Sequence, residues 1–151
     1  MEALPKRKRL RLQGYDYSSD GAYFITICTE GKGHVLSGIE VVNDEAVVRL
    51  SQTGQIVEKY IQSIPGIDAY VIMPNHVHLI IMKSNGKPIA SDVRSFKGLT
   101  VKNCGGLKWQ RNYYEHVIRD EADYKTKRNY IEHNPGRWSE DEYYSTVYSG
   151  Q

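Results

Sequence analysis

Two histidines stand one residue apart, His76 and His78, directly after Pro74-Asn75 and at the start of the most apolar stretch, VHLIIM at 77–82. In a strand, successive side chains alternate, so His76, His78, Ile80 and Met82 share one face while Val77, Leu79 and Ile81 share the other. Both faces are otherwise apolar, which predicts a central, covered strand. Burying a polar group without a partner costs about 1–3 kcal/mol, so both imidazoles need partners. A shared divalent cation is one solution, because Cα atoms two apart in a strand lie about 6.6–6.8 Å from each other. Two separately hydrogen-bonded rings are the other. The surrounding residues exclude several familiar chemistries. Ile80 stands where a triple-histidine nucleotidyl hydrolase would want a third histidine, there is no second His-x-Thr/Ser for a two-motif phosphoesterase, and no cysteine pair is spaced for a zinc finger.

The second group that could do chemistry lies at 120–135, DEADYKTKRNYIEHNP. Tyr130 and Asn134 are four apart and so share a face of a helix, with Lys127 one turn earlier beside them. A phenol nucleophile and an amide ligand could be delivered together by such a helix. A packing tyrosine and a helix-ending asparagine before Pro135 are the simpler alternative. Only Ala122, Tyr124 and Ile131 are available to anchor this helix, so burial alone cannot hold it.

These groups must be positioned by a small set of elements. Residues 22–29 (AYFITICT) read as a strand with apolar residues on both faces. Two short strands follow at 39–42 and 46–50, parted by the turn residues Asn43-Asp44. Ser51 caps a helix whose apolar residues Ile56, Val57, Tyr60, Ile61 and Ile64 recur at helical spacing up to Pro65-Gly66. Strands at 68–73 and 76–83 are joined by Pro74-Asn75 as a hairpin that ends at Asn85-Gly86. A helix beginning at Pro88 or Ser91 runs to Gly105-Gly106, a strand follows at 113–118, and the polar helix spans 121–133 with Asp120 as its cap and Asp123 three residues on. This order predicts an α+β fold, a ferredoxin-like antiparallel sheet with helices packed largely on one face.

The chain has 151 residues, 20 Lys+Arg against 18 Asp+Glu, and a formal charge of +2. That length suits one domain, here 1–151, with 1–20 as a basic arm and 139–151 as a C-terminal tail. No heptad or disorder bias appears. No apolar run approaches the roughly 20 residues of a membrane span. No secretory signal is visible at the N-terminus, and Cys28 and Cys104 do not form a disulfide framework. A cytoplasmic protein with no membrane partner is therefore expected. Positive charge is segregated: Lys6, Arg7, Lys8, Arg9 and Arg11 crowd the first residues, and Lys97, Lys102 and Arg111 belong to a second basic stretch at 83–111 that contains one acid, Asp92. The acidic surplus lies elsewhere, including Glu140-Asp141-Glu142. Such segregation suits a polyanion.

Three blocks in order, MPNHVHLII, WQRNYYEHVIRD and NYIEHNPGRW, resemble the single-tyrosine HUH transposases, specifically the REP-associated tyrosine transposase branch, and the likeness extends back through RLRLQGYDYSSDGAYFITICT to cover residues 9–138. The resemblance implies the HUH nuclease fold, with His76 and His78 as metal ligands, Tyr130 as the nucleophile and Asn134 as the third ligand, where insertion-sequence relatives carry Gln. His133 competes with Asn134 for that role, and Tyr113, Tyr114 and Tyr124 are alternative phenols nearby. The implied cofactor is Mg²⁺ or Mn²⁺, and the implied partner is single-stranded or hairpin DNA, gripped by Arg7, Lys8, Arg9, Arg11, Lys97, Lys102 and Arg111. The implied reaction is attack of Tyr130 on a phosphodiester to give a 5′-phosphotyrosine and a free 3′-OH, later reversed to join another strand. The active species would be a monomer or a homodimer.

Overall fold

A computed structural model describes residues 21–84 and 86–145. The arm residues Arg7, Lys8, Arg9 and Arg11, and the turn residue Asn85, lie outside the described residues. The described residues form six strands and three α-helices: β1 (Gly21–Cys28), β2 (Ser37–Val42), β3 (Glu45–Leu50), α1 (Gln52–Gln62), β4 (Ile67–Met73), β5 (His76–Lys83), α2 (Ile89–Asn103), β6 (Tyr114–Ile118) and α3 (Glu121–His133). The expected elements are all present, with ends moved by one or two residues.

Four strands form one antiparallel sheet in the order β4-β5-β1-β6, and β2-β3 make a separate hairpin. With the hairpin set aside, the order strand-helix-strand-strand-helix-strand is the ferredoxin-like arrangement expected from the sequence. It places β5 and β1 in the middle, which is why both are apolar on both sides. Turn chemistry sets the connections. Ser51 Oγ accepts from the Gly54 N–H at the start of α1. Gly66, at φ +83°, turns the chain into β4 where any Cβ would collide with the Met82 carbonyl.

The sheet separates two cores. Tyr23, Ile25, Ile27, Val77, Leu79 and Ile81 face α1 and α2, joining Val57, Ile61, Val93 and Phe96. Ala22, Phe24, Val71, Met73 and Ile80 face α3, joining Tyr124 and Ile131. Two helices thus cover one face, as expected, and α3 covers the other. As anticipated, α3 is lightly anchored: Tyr124 and Ile131 are its buried residues, and Ala122 is exposed. Its cap is half of the expected motif. Asp120 accepts from the Asp123 N–H, but the Asp123 carboxylate binds His116 and the Arg119 N–H instead of reaching back. Polar contacts supply the rest of the hold. The Tyr124 hydroxyl donates to Asp68 on β4 at 2.6 Å, and Arg128 donates to the Tyr124 oxygen at 2.8 Å.

Candidate active site

Strand register builds the site. Thr26 pairs with His78 and Cys28 with His76 across β1 and β5, while Val71 and Met73 flank the same histidines from β4. Both imidazoles are buried, His76 at 0% and His78 at 1% exposure. They are on one face, as strand alternation requires, and their Nε2 atoms are 3.1 Å apart.

The outer nitrogens are held from behind. Asn75 donates from Nδ2 to the carbonyls of Lys32 and Tyr143, which turns its Oδ1 toward His76 Nδ1 at 2.8 Å. An amide oxygen only accepts, so His76 Nδ1 carries the proton and the neutral ring presents a lone pair at Nε2. Thr26 Oγ1 lies 2.8 Å from His78 Nδ1 and orients that ring, its hydroxyl being able to donate or accept there. Burial depresses both histidines, His76 to about 3 and His78 well below its ordinary value, so both are neutral near pH 7. Neutral rings oriented by oxygens behind them are what metal ligation needs.

The polar groups that converge on this point satisfy one another only in part, the two Nε2 atoms lying within hydrogen-bond distance. Asp141 Oδ2 sits 3.6 Å from His76 Nε2 and accepts from Asn134 Nδ2 at 2.8 Å. One donor atom each from His76, His78 and Asp141 falls within 4.8 Å of the others. Asn134 is buried, and its Oδ1 makes no hydrogen bond. A carboxylate, an imidazole lone pair and an orphaned amide oxygen in one buried place want a cation, and this mixed N/O donor set fits a divalent metal ion.

Helix α3 brings Tyr130 to the same place. Its ring stands 5.1 Å from the His78 ring and 6.0 Å from that of Phe24, between centroids, with 38% of the residue exposed. Burial and the charges of Asp141 and Glu142 push its phenol up to about 12, while a hydrogen bond from Asn134 pulls the other way. Lys127 lies 5.6 Å over the Phe24 ring.

The remaining expected residues are scattered. His133 is exposed and its Nδ1 lies 3.0 Å from the Asn129 carbonyl, outside the donor cluster. Tyr124 is committed to Asp68 and Arg128, and Tyr113 packs against the apolar cluster on the α1–α2 side of the sheet. Lys97 and Lys102 are on α2, across the sheet from the histidines, and Arg111 is exposed before β6. Lys97 is tied to the chain itself, donating to the carbonyls of Gln110 and Arg111 at 2.9 Å each.

Asp141, Asn75, Thr26 and Tyr143 were not singled out from the sequence. Residues 139–151 read as a tail, yet Pro135–Glu140 forms a 3₁₀ turn that carries Asp141 into the donor cluster and sets the Tyr143 ring 4.6 Å from that of His76. The available signal was the acidic run 140–142 just after the NPGRW block; nothing in its composition distinguishes it from a solvated face.

No protein-family model matches the chain. An uncharacterized protein of Haemophilus influenzae is 37% identical over 91% of this chain and 93% of its own length. The REP-associated tyrosine transposase of Escherichia coli is 38% identical over 46% of this chain and 43% of its own length, so this match spans less than half of that relative. Among solved structures, a REP-associated tyrosine transposase bound to a REP hairpin superposes with a TM-score of 0.63 at 23% identity, over 85% of this chain and 74% of that one. A candidate transposase of Deinococcus radiodurans superposes with a TM-score of 0.50 at 19% identity, over 81% of this chain and 95% of that one. The partial sequence match and the shared fold point the same way: the chain is similar to the REP-associated tyrosine transposases and has their fold.

Proposed function

We propose that this protein is a metal-dependent DNA strand transferase that cleaves and rejoins single-stranded DNA through a covalent bond to Tyr130. One observation carries the reading: a half-exposed tyrosine on α3 meets His78, one of two buried, neutral histidines on β5, at a ring separation of 5.1 Å. His76, His78 and Asn134 are the proposed ligands, joined by Asp141, and a divalent cation held there would polarise the scissile phosphate and steady the departing 3′ oxygen.

The chain's own residues do the remaining work. The Tyr130 oxygen forms a bond to phosphorus, the bond from phosphorus to the 3′ oxygen breaks, the phenol proton leaves and the 3′ oxygen ends as a hydroxyl. The phosphodiester energy is kept in the phosphotyrosine, so a 3′-OH can reverse the step on another strand. Asn75 keeps His76 in the ligating tautomer and Thr26 orients the His78 ring. Asp68, Tyr124 and Arg128 hold α3 so that Tyr130 and Asn134 arrive together.

Hairpin DNA is the proposed partner, supported by the structural relative solved with a REP hairpin. The basic arm, Lys102 and Arg111 are the proposed phosphate contacts. The test is incubation with single-stranded hairpin oligonucleotides and Mn²⁺ or Mg²⁺, followed by mass spectrometry. The expected product is a 5′-phosphate adduct on Tyr130. An adduct on Tyr113, Tyr114 or Tyr124, or cleavage without any adduct, would overturn the assignment.

A further inference from the structure

Tyr130 stands between two cavities. On one side, about 400 Å³ opens among Asn129, Tyr130, His133, Asn134 and Arg137. On the other, about 300 Å³ opens among Phe24, Thr26, His78, Tyr114, Lys127 and Tyr130. A strand attacked at one phosphate continues from it in both directions, so a nucleophile served from two sides is what such a substrate requires. The smaller space lies at the lower end of the roughly 300–1,000 Å³ of small-ligand sites, which suits one nucleotide and no duplex.

We infer that this second cavity seats the nucleotide next to the scissile phosphate, its base stacked on Tyr114 and its own phosphate beside Lys127. The inference rests on the phosphotyrosine reading above and deepens it. Tyr114 pairs with Thr26, which pairs with His78, so one cross-strand row runs from the metal-ligand candidate to the edge of the sheet on a single face. Neighbouring strands lie about 4.8 Å apart, which puts Tyr114 two strands, or about 10 Å, from His78. Tyr114 is 51% exposed, an aromatic surface that the core does not use. Phe24 floors the space, with Lys127 over its ring. Glu142 lines the cavity as well, so Lys127, the single cation lining it among the described residues, decides where a phosphate sits. Every base has a π-face, so this seat would read single-strandedness rather than sequence.

The experiment uses the full chain. The position cleaved by wild type with Mn²⁺ is mapped on a hairpin oligonucleotide, and each flanking nucleotide is then made abasic in turn. One of the two abasic strands should form adduct about tenfold more slowly with wild type and with Tyr114→Phe, as loss of a stacked base predicts. Tyr114→Ala should be about tenfold slow on the intact strand and indifferent to that abasic site. In the non-reactive Tyr130→Phe background without metal, adding Tyr114→Ala should weaken binding of the strand by a similar factor, read by fluorescence anisotropy. Wild-type rates for Tyr114→Ala on the intact strand, or an undiminished abasic effect in it, would overturn the seat alone. Absence of any adduct with wild type would overturn the phosphotyrosine reading and the seat with it.

Discussion

The two faces of strands β1 and β5 are made from the same backbone and do opposite things. Toward α1 and α2 the strands present Tyr23, Ile25, Ile27, Val77, Leu79 and Ile81, a close-packed apolar layer. Toward α3 they present Thr26, His76 and His78 beside Phe24 and Ile80, and the covering helix is mostly polar. The first face supplies stability through burial. The second places buried polar atoms whose partners are supplied from behind by Asn75 and Thr26 and from above by Asn134 and Asp141. A rigid sheet fixes the histidines, and a lightly buried helix brings the phenol to them. The proposed chemistry is thus confined to the face that contributes less to the core.

That division can be broken from either side. The largest effect should come from Tyr130→Phe and His78→Ala: both should lose metal-dependent adduct formation by at least about a thousandfold, as removal of a nucleophile does, while thermal melting stays close to wild type. A His78→Ala protein that cleaves normally would remove the site from this face. Leu79→Ala, one residue along the same strand, should do the reverse. It should cost about 2–5 kcal/mol in denaturant unfolding, with the remaining folded fraction still binding Mn²⁺.

Cys28 reports the charge on the site face. Burial, then Asp141 and Glu142, push its thiol from 9.0 up to about 11. A raised thiol pKa means less thiolate at every pH below it, so alkylation at pH 8 should run about a hundredfold slower than at an ordinary cysteine. Asp141→Asn should speed that alkylation and, by replacing a charged donor with a neutral one, weaken Mn²⁺ binding by about tenfold or more, measured by calorimetry. Unchanged Mn²⁺ affinity would take Asp141 out of the ligand set. The smallest effect is expected from Tyr124→Phe, which deletes the hydroxyl between Asp68 and Arg128. Loss of about 1 kcal/mol of stability, with a modest fall in adduct rate and no change in strand affinity, would show that this network aims α3.

Alternation along residues 76–82 and the i, i+4 spacing of Tyr130 and Asn134 are local geometry, so a reader of the sequence could place both pairs on their faces. The helix caps at Ser51 and Asp120 were legible for the same reason, being short-range hydrogen bonds. The element order pointed to the ferredoxin-like sheet. Other features depend on pairings between distant segments. Thr26 faces His78 only because β1 and β5 register that way, 52 residues apart. Asp141 read as one acid in a solvated run, and it joins the histidines only because the turn at 135–140 folds back over the sheet. Lys97 read as a free cation for phosphate, and folding instead gives it two backbone carbonyls from a loop 13 and 14 residues away. Residue type and spacing therefore determined which groups could react. Long-range register and burial decided which of them meet, because desolvation and partner choice are properties of the packed chain.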